Sequence, residues 1–217
     1  MSPRHKSYAT RKNKQSRKWI IGISILCLIV SAVAVAAITY PQNGKANVSN
    51  TDPAFKAFTD HYLAIMKNLN STEIKTKMAA QLSSSYNQTD LFSWEKNKMS
   101  FVQDPAGFFE DPIQILNSGK GICVQWSTVY VAACLSLGYQ SRLIVAVDTS
   151  SWNFIHVWAE DYYKGAWVHV DPSDGVWDSP ARYQSWGWGT FGSQVKVYAF
   201  EDGTFQEVTS TYAPHSS

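Results

Sequence analysis

Three residues of this 217-residue chain have the types and the order that thiol catalysis needs: Cys123, His156 and Asp171. A thiol becomes a strong nucleophile on losing its proton, and a helix N-terminus or a neighbouring imidazolium favours that loss. Cys123 follows Gly119-Lys120-Gly121-Ile122 and opens a helical pattern that runs to Leu137, so it stands where a helix begins, with two glycines to turn the backbone into it. A histidine would take the thiol proton and later hand it to a leaving amine. His156 fits that part, and Asp171 would hold its imidazole in the productive tautomer.

The histidine and the aspartate fall on two predicted strands, Phe154 to Asp161 and Ala166 to Val170 with Asp171 at its end. Side chains alternate along a strand, so Phe154, His156, Trp158 and Glu160 are expected on one face, and Trp167, His169 and Asp171 on one face of the next strand. Setting His156 directly opposite Asp171 leaves Tyr163-Lys164 as a two-residue turn between Tyr162 and Gly165. A slip of one residue would put the two side chains on opposite faces.

Bland readings stand beside the catalytic one. A lone buried cysteine is ordinarily core, a strand histidine ordinarily structural, and an Asp before Pro ordinarily opens a turn. Their joint order after the glycines favours the triad. Cys134 lacks such a setting and reads as core. His169, two residues before Asp171, is the competing base. His156, His169 and Glu160 lack a standard metal spacing, and no Cys-x-x-Cys pair is present, so no metal or cofactor is expected. Cys123 and Cys134 lie about 16 Å apart along one helix at 1.5 Å per residue, too far to bridge. The Cys123 backbone N–H is the first candidate oxyanion donor, with Trp94 or Gln125 as candidates for the second.

Stepping outward, Arg4, Lys6, Arg11, Lys12, Lys14, Arg17 and Lys18 take seven of the 19 basic residues, which leaves 12 against 17 acidic ones. The body is mildly acidic, and no nucleic-acid partner is indicated. Residues 1–18 read as a basic cytoplasmic tail. Residues 19–40, uncharged from Trp19 to Tyr40, are long enough for a transmembrane anchor, and the positive-inside rule places the remainder outside. A cleaved signal peptide ending near Ala34-Val35-Ala36, and hence secretion, is the competing reading. Residues 41–52 form a polar linker, and 53–212 form the folded domain.

Within that domain Asp52-Pro53 starts a helix that buries Phe55, Phe58, Tyr62, Ile65, Met66 and Leu69. Asn70 with Glu73 suggests a capping box for a second helix to about Leu82, and a third runs from Asp90 to Val102. Residues 104–117 read as a loop with a short apolar turn. The Cys123 helix shows Trp126, Val129, Tyr130, Ala133 and Leu137 on one stripe and stops at Gly138. Strands follow at Arg142 to Asp148, Val195 to Phe200 and Phe205 to Thr209, with an aromatic loop at 183–189 between the two groups. Helices first and an antiparallel sheet afterwards is an α+β pattern. Asn47, Asn70 and Asn87 fit glycosylation sequons, with a helix cap the better reading of Asn70.

The motifs Gly121-x-Cys123-x-x-Trp126, His156-Val157-Trp158-x-Glu160 and Trp167-Val168-His169-Val170-Asp171-Pro172 resemble the transglutaminase-like superfamily of papain-type thiol enzymes, over roughly Leu91 to Tyr212. Tyr183, Gly187-Trp188-Gly189 and the run from Val197 to Tyr212 are most similar to its peptide:N-glycanase branch. The resemblance implies a papain-like fold with Cys123 as nucleophile, His156 as base and Asp171 as orienting acid, and a peptide, protein or glycoprotein substrate. That branch carries paired Cys-x-x-Cys zinc ligands, which this chain lacks. Trp126, Trp158, Glu160, Trp167 and Trp188 are candidate substrate contacts, since tryptophans near the site stack on sugar rings or else fill the core. The expected function is therefore membrane-anchored acyl transfer or hydrolysis at a carboxamide or peptide bond. A peptidase or cross-linking transglutaminase is the alternative among enzymes, and a non-catalytic protein- or glycan-binding module the alternative of another class.

Overall fold

The computed structural model describes residues 52–103, 109–179 and 194–212. The basic tail, the apolar segment at 19–40, the linker as far as residue 51, Cys27, Asn47, Trp186, Trp188 and the aromatic loop at 183–189 lie outside those residues. Among the described residues no helix is long and apolar enough to cross a membrane.

Helix α1 spans Pro53–Leu69; the Asp52 side chain accepts from the Ala54 N–H at 2.9 Å, and Pro53 occupies the first turn. Helix α2, Thr72–Ala79, is shorter than its pattern suggests. Its N-cap is Ser71, because Asn70 is used as the C-cap of α1 and its side chain donates to Asp202 at 2.6 Å. Helix α3 is Gln88–Lys96, not Asp90 to Val102, because Asn87 and Asp90 close a reciprocal capping box. The sequon at Asn87 is thus spent on a cap as well.

The segment read as a loop before Cys123 holds a two-turn helix, α4 (Pro112–Ser118), capped by Asp111 and ended by Gly119 at φ 64°. Two short parallel strands, β1 (Ser100–Phe101) and β2 (Lys120–Gly121), then tie the chain down immediately before the cysteine. Helix α5 is Cys123–Ser136. It ends with Gly138 at φ 83°, where the Tyr139 N–H reaches the Cys134 carbonyl and the Gly138 N–H reaches that of Leu135. Every residue from Cys123 to Cys134 is buried, so α5 is a central helix and not the one-sided helix its stripe suggests. Helices α1 to α4 meet it from several directions and the sheet covers the remainder, which is why Ala132 and Ala133 are small.

The sheet is antiparallel throughout, in the order β6-β5-β4-β3-β7-β8. Its strands are β3 (Ser141–Asp148), β4 (Phe154–Tyr163), β5 (Ala166–Asp171), β6 (Val176–Trp177), β7 (Val195–Glu201) and β8 (Thr204–Glu207), followed by a last turn of helix, α6 (Thr209–Tyr212). One face packs on α5 through Leu143, Val145, Val147, Val157 and Ala159. The other gathers Ile144, Trp158, Val197, Ala199 and Tyr212. The α+β arrangement is as expected from helices followed by strands.

The β4–β5 turn corrects the expected register. Tyr163 pairs with Ala166, and the two-residue turn is Lys164-Gly165, with φ 51° and 90°. A tight hairpin of this kind needs positive φ at both central positions, which Gly165 adopts without strain and a tyrosine does not. The shift is two residues, so parity survives: Asp171 comes level with Trp158, and its side chain stays on the His156 face.

Candidate active site

The segment leading into Cys123 is held tightly. Gly119 needs its left-handed φ, whereas Gly121 needs the absence of a side chain, since a Cβ there would stand 2.7 Å from the Gln125 Cβ. Gln125 returns over the same turn: its Oε1 accepts from the Ile122 N–H at 3.0 Å, and its Nε2 donates to the Phe109 carbonyl at 3.3 Å. Both ends of that amide are thereby occupied in shaping the helix entrance. Cys123 follows as the first residue of α5, 8% exposed, at the positive end of the helix. Tyr62 of α1 lies near the thiol. Burial, and then the neighbouring Cys123 and Glu110, push its phenol well above the usual range, so Tyr62 stays protonated.

His156 lies just past a bulge in β4. Ala146 pairs with His156 but Val147 pairs with Phe154, so Ile155 is extra. This breaks the expected shared face of Phe154 and His156 and places Phe154 across from Val147, on the α5 side of the sheet. Bulges sharpen strand twist and re-aim side chains, and here the re-aimed side chain is the imidazole. Its Nε2 hydrogen-bonds with Asp171 Oδ2 at 2.6 Å, and the Cys123 thiol lies close enough to act on the charge of the ring. Burial opposes charge on the ring, but the bonds and charges of Asp171 and Cys123 outweigh it, and His156 is pushed up to about 9.

Asp171 is fully buried. Its Oδ1 accepts from the Ser173 hydroxyl at 2.7 Å and the Asp174 N–H at 3.0 Å, so the turn at Pro172 anchors one oxygen while the other faces the histidine. His169 is elsewhere. It pairs with Glu160, and its Nδ1 accepts from the Ser179 N–H at 3.4 Å. The structure therefore brings together Cys123, His156 and Asp171 from three elements and leaves His169 outside that line.

The candidate substrate contacts are placed differently. Trp158 is 1% exposed; it stacks under the His156 ring at 5.8 Å and meets Tyr212 edge-on at 4.8 Å. Glu160 is buried in an ion pair, with Arg142 Nε and Nη2 at 2.7 and 2.6 Å from Oε2, and it accepts from the Tyr212 hydroxyl. Arg142 in turn stacks on the half-buried Trp167 at 3.9 Å. Trp126 is buried on α5. Trp126, Trp158 and Glu160 are thus buried and present little surface to a substrate. Trp188 lies outside the described residues. Among the described residues no group of three His, Cys, Asp or Glu is arranged to hold a metal.

One buried group had no signal in the sequence. Glu95, at the end of α3, is fully buried, and neither carboxyl oxygen has a hydrogen-bond partner. Burial first, and then the nearby Asp171, raise its carboxyl well above the usual range, so it is held as the neutral acid.

Residues 72–172 match the family model of the transglutaminase-like superfamily. A peptide-N(4)-(N-acetyl-beta-glucosaminyl)asparagine amidase of Oryza sativa subsp. japonica is 37% identical over 82 residues, covering 37% of this chain and 17% of that protein. The enzyme of the same name from Drosophila melanogaster is 35% identical over 106 residues, covering 48% of this chain and 15% of its own. The chain thus spans only a small part of the length of these relatives. Among solved structures, the Rad4-Rad23 complex bound to a 6-4 photoproduct UV lesion aligns with a TM-score of 0.50 at 13% identity, covering 75% of this chain and 48% of that one, a likeness of fold.

Proposed function

Taking residues 72–172 as a domain of the transglutaminase-like superfamily, we propose that this chain is a cysteine-dependent amidase or acyltransferase, with Cys123 as nucleophile, His156 as general acid and base, and Asp171 as the orienting acid. The observation that carries this reading is the 2.6 Å bond between His156 Nε2 and the buried Asp171 carboxylate, with the Cys123 thiol acting on the same ring. The Cys123 sulfur attacks a carboxamide carbon, and the C–N bond breaks as His156 gives its proton to the departing nitrogen. His156 then takes a proton from water, whose oxygen displaces sulfur from the thioester and regenerates the thiol. Asp171 keeps the ring in register through both steps.

The substrate we favour is an asparagine-linked glycopeptide, because the two relatives above carry that amidase name. The sugar amine leaves, and the asparagine becomes aspartate. Residues 19–40 would anchor the chain in a membrane with the domain outside the cytoplasm, a placement that rests on the apolar run and the basic residues before it.

The test uses the full-length chain in detergent micelles. Iodoacetamide near neutral pH is expected to alkylate Cys123 in the wild type and to leave Cys123→Ser unmodified on that peptide. A glycopeptide is expected to yield free glycan and an aspartate-containing peptide, resolved by mass spectrometry. New peptide termini would select a peptidase, and an isopeptide bond a cross-linking enzyme. An unreactive Cys123 would defeat the enzyme reading and leave a binding module.

A further inference from the structure

Three large apolar side chains with open surface stand on segments joined to Cys123 or His156: Phe101 is 53% exposed, Phe109 38% and Phe154 39%. Each is tied to the pair by a separate piece of geometry. Phe101 is the register partner of Gly121, two residues before the nucleophile. The Phe109 carbonyl receives the Gln125 side chain, two residues after it. Phe154 precedes His156 by two residues, across the bulge and on the α5 side of the sheet. Among the described residues none of the three stacks on another ring or belongs to either core cluster, whereas Phe55, Phe58, Tyr62, Tyr198 and Phe200 pack against one another. Exposed apolar surface gathered at one place on a soluble domain marks a binding site more often than scatter does.

The main chain at Phe101 adds direction. Ser100 and Val102 give their N–H groups to the Gly119 and Gly121 carbonyls, so both face β2. By strand alternation the N–H and C=O of Phe101 point the other way, off the outer edge of β1. An outward N–H and C=O pair on one residue matches the backbone of an extended peptide, and phenyl rings suit apolar side chains better than sugar hydroxyls.

We propose that Phe101, Phe109 and Phe154 form a peptide subsite: an extended segment of substrate adds to the outer edge of β1 at Phe101, and its apolar side chains on either side of the attacked residue lie against the three rings. This rests on the acyl-transfer reading of Cys123 and names the part of the substrate that the domain recognises. The subsite does not grip the glycan.

The test separates the two readings by measuring binding without turnover. Full-length Cys123→Ala in micelles is titrated into a fluorescein-labelled heptapeptide with Leu, Val and Phe around a central Asn, and anisotropy gives Kd. Phe101→Ala and Phe154→Ala are each expected to weaken binding about tenfold, roughly what losing one well-packed aromatic contact costs. Phe101→Leu should recover most of that loss, and a Ser/Gly-flanked heptapeptide should bind weakly to every variant. Methylating one backbone nitrogen of the Leu/Val/Phe peptide at a time should identify a single position at which affinity falls. In the Cys123-containing parent, iodoacetamide reactivity should be unchanged by the phenylalanine substitutions, which shows the thiol intact. Equal Kd across the phenylalanine variants, equal affinity for the two heptapeptides, or displacement of the apolar peptide by free diacetylchitobiose would overturn the subsite. An unreactive Cys123 would instead defeat the enzyme reading while leaving the peptide Kd values to stand or fall on their own.

Discussion

Asp171 does not lie opposite His156 but two residues along β4, level with Trp158, and its Oδ2 still reaches the His156 Nε2 at 2.6 Å. A diagonal pair of this kind on one sheet face is within reach of long side chains. The bulge at Ile155 assists by turning the histidine. The buried carboxylate, fixed by Ser173 and Asp174, is therefore the reference point against which the imidazole is set.

That relationship gives a pH signature. His156 is raised in the folded chain from 6.5 to about 9, so protonated His156 contributes stability that is fully present below about 6.5 and is lost as pH rises through about 9. In the proposed mechanism the leaving nitrogen takes its proton from this ring, so kcat/KM is expected to fall on the alkaline side near 9. Asp171→Asn should lower kcat/KM by about 10³ to 10⁴. It should also bring the His156 titration, followed by NMR of the imidazole carbons, down toward the ordinary value. A wild-type imidazole titrating near 6.5 would show that the ring is not paired as described.

Glu95 predicts the slope of stability with pH on independent grounds. A carboxyl held neutral in the folded state and free to ionise at about 4.5 when unfolded binds more protons folded, so stability falls as pH climbs above 4.5. Glu95→Gln removes the titration. The difference in unfolding free energy between variant and wild type should therefore grow in the variant's favour by up to about 1.4 kcal/mol per pH unit, measured by urea unfolding from pH 5 to 8. A difference that stays flat with pH would mean that Glu95 ionises in the folded chain.

Glu160 and Arg142 form a buried pair, so removing Glu160 leaves the buried guanidinium with only the more distant, part-exposed Glu201 carboxylate at 3.9 Å and the Trp167 ring. Glu160→Ala should cost about 3–5 kcal/mol. The double change Glu160→Leu with Arg142→Met should cost less than either single change, because both charges leave together. Chemical denaturation of the four proteins checks this, and additive losses would refute the coupling. Since Glu160 also accepts from Tyr212, which braces Trp158 beneath His156, the single variant should lower kcat more than it raises KM.

The sequence by itself determined the candidate catalytic residue types and their order, the helix begun at Asp52-Pro53, the stop at Gly138, and strands whose composition permits little else. These are local properties, set by capping, turn chemistry and period. It determined the parity of the β4–β5 pairing but not its register, because alternation repeats every two residues and a shift of two leaves every side chain on its own face. Tertiary structure decided that Lys164-Gly165 makes the turn, that His156 and not His169 meets Asp171, and that α5 is buried on all sides. It also decided which aromatics are available: Trp158 and Trp126 are enclosed, whereas Phe101, Phe109 and Phe154 are left open. Composition cannot distinguish these cases, since whether a ring is covered depends on what packs across it from elsewhere in the chain.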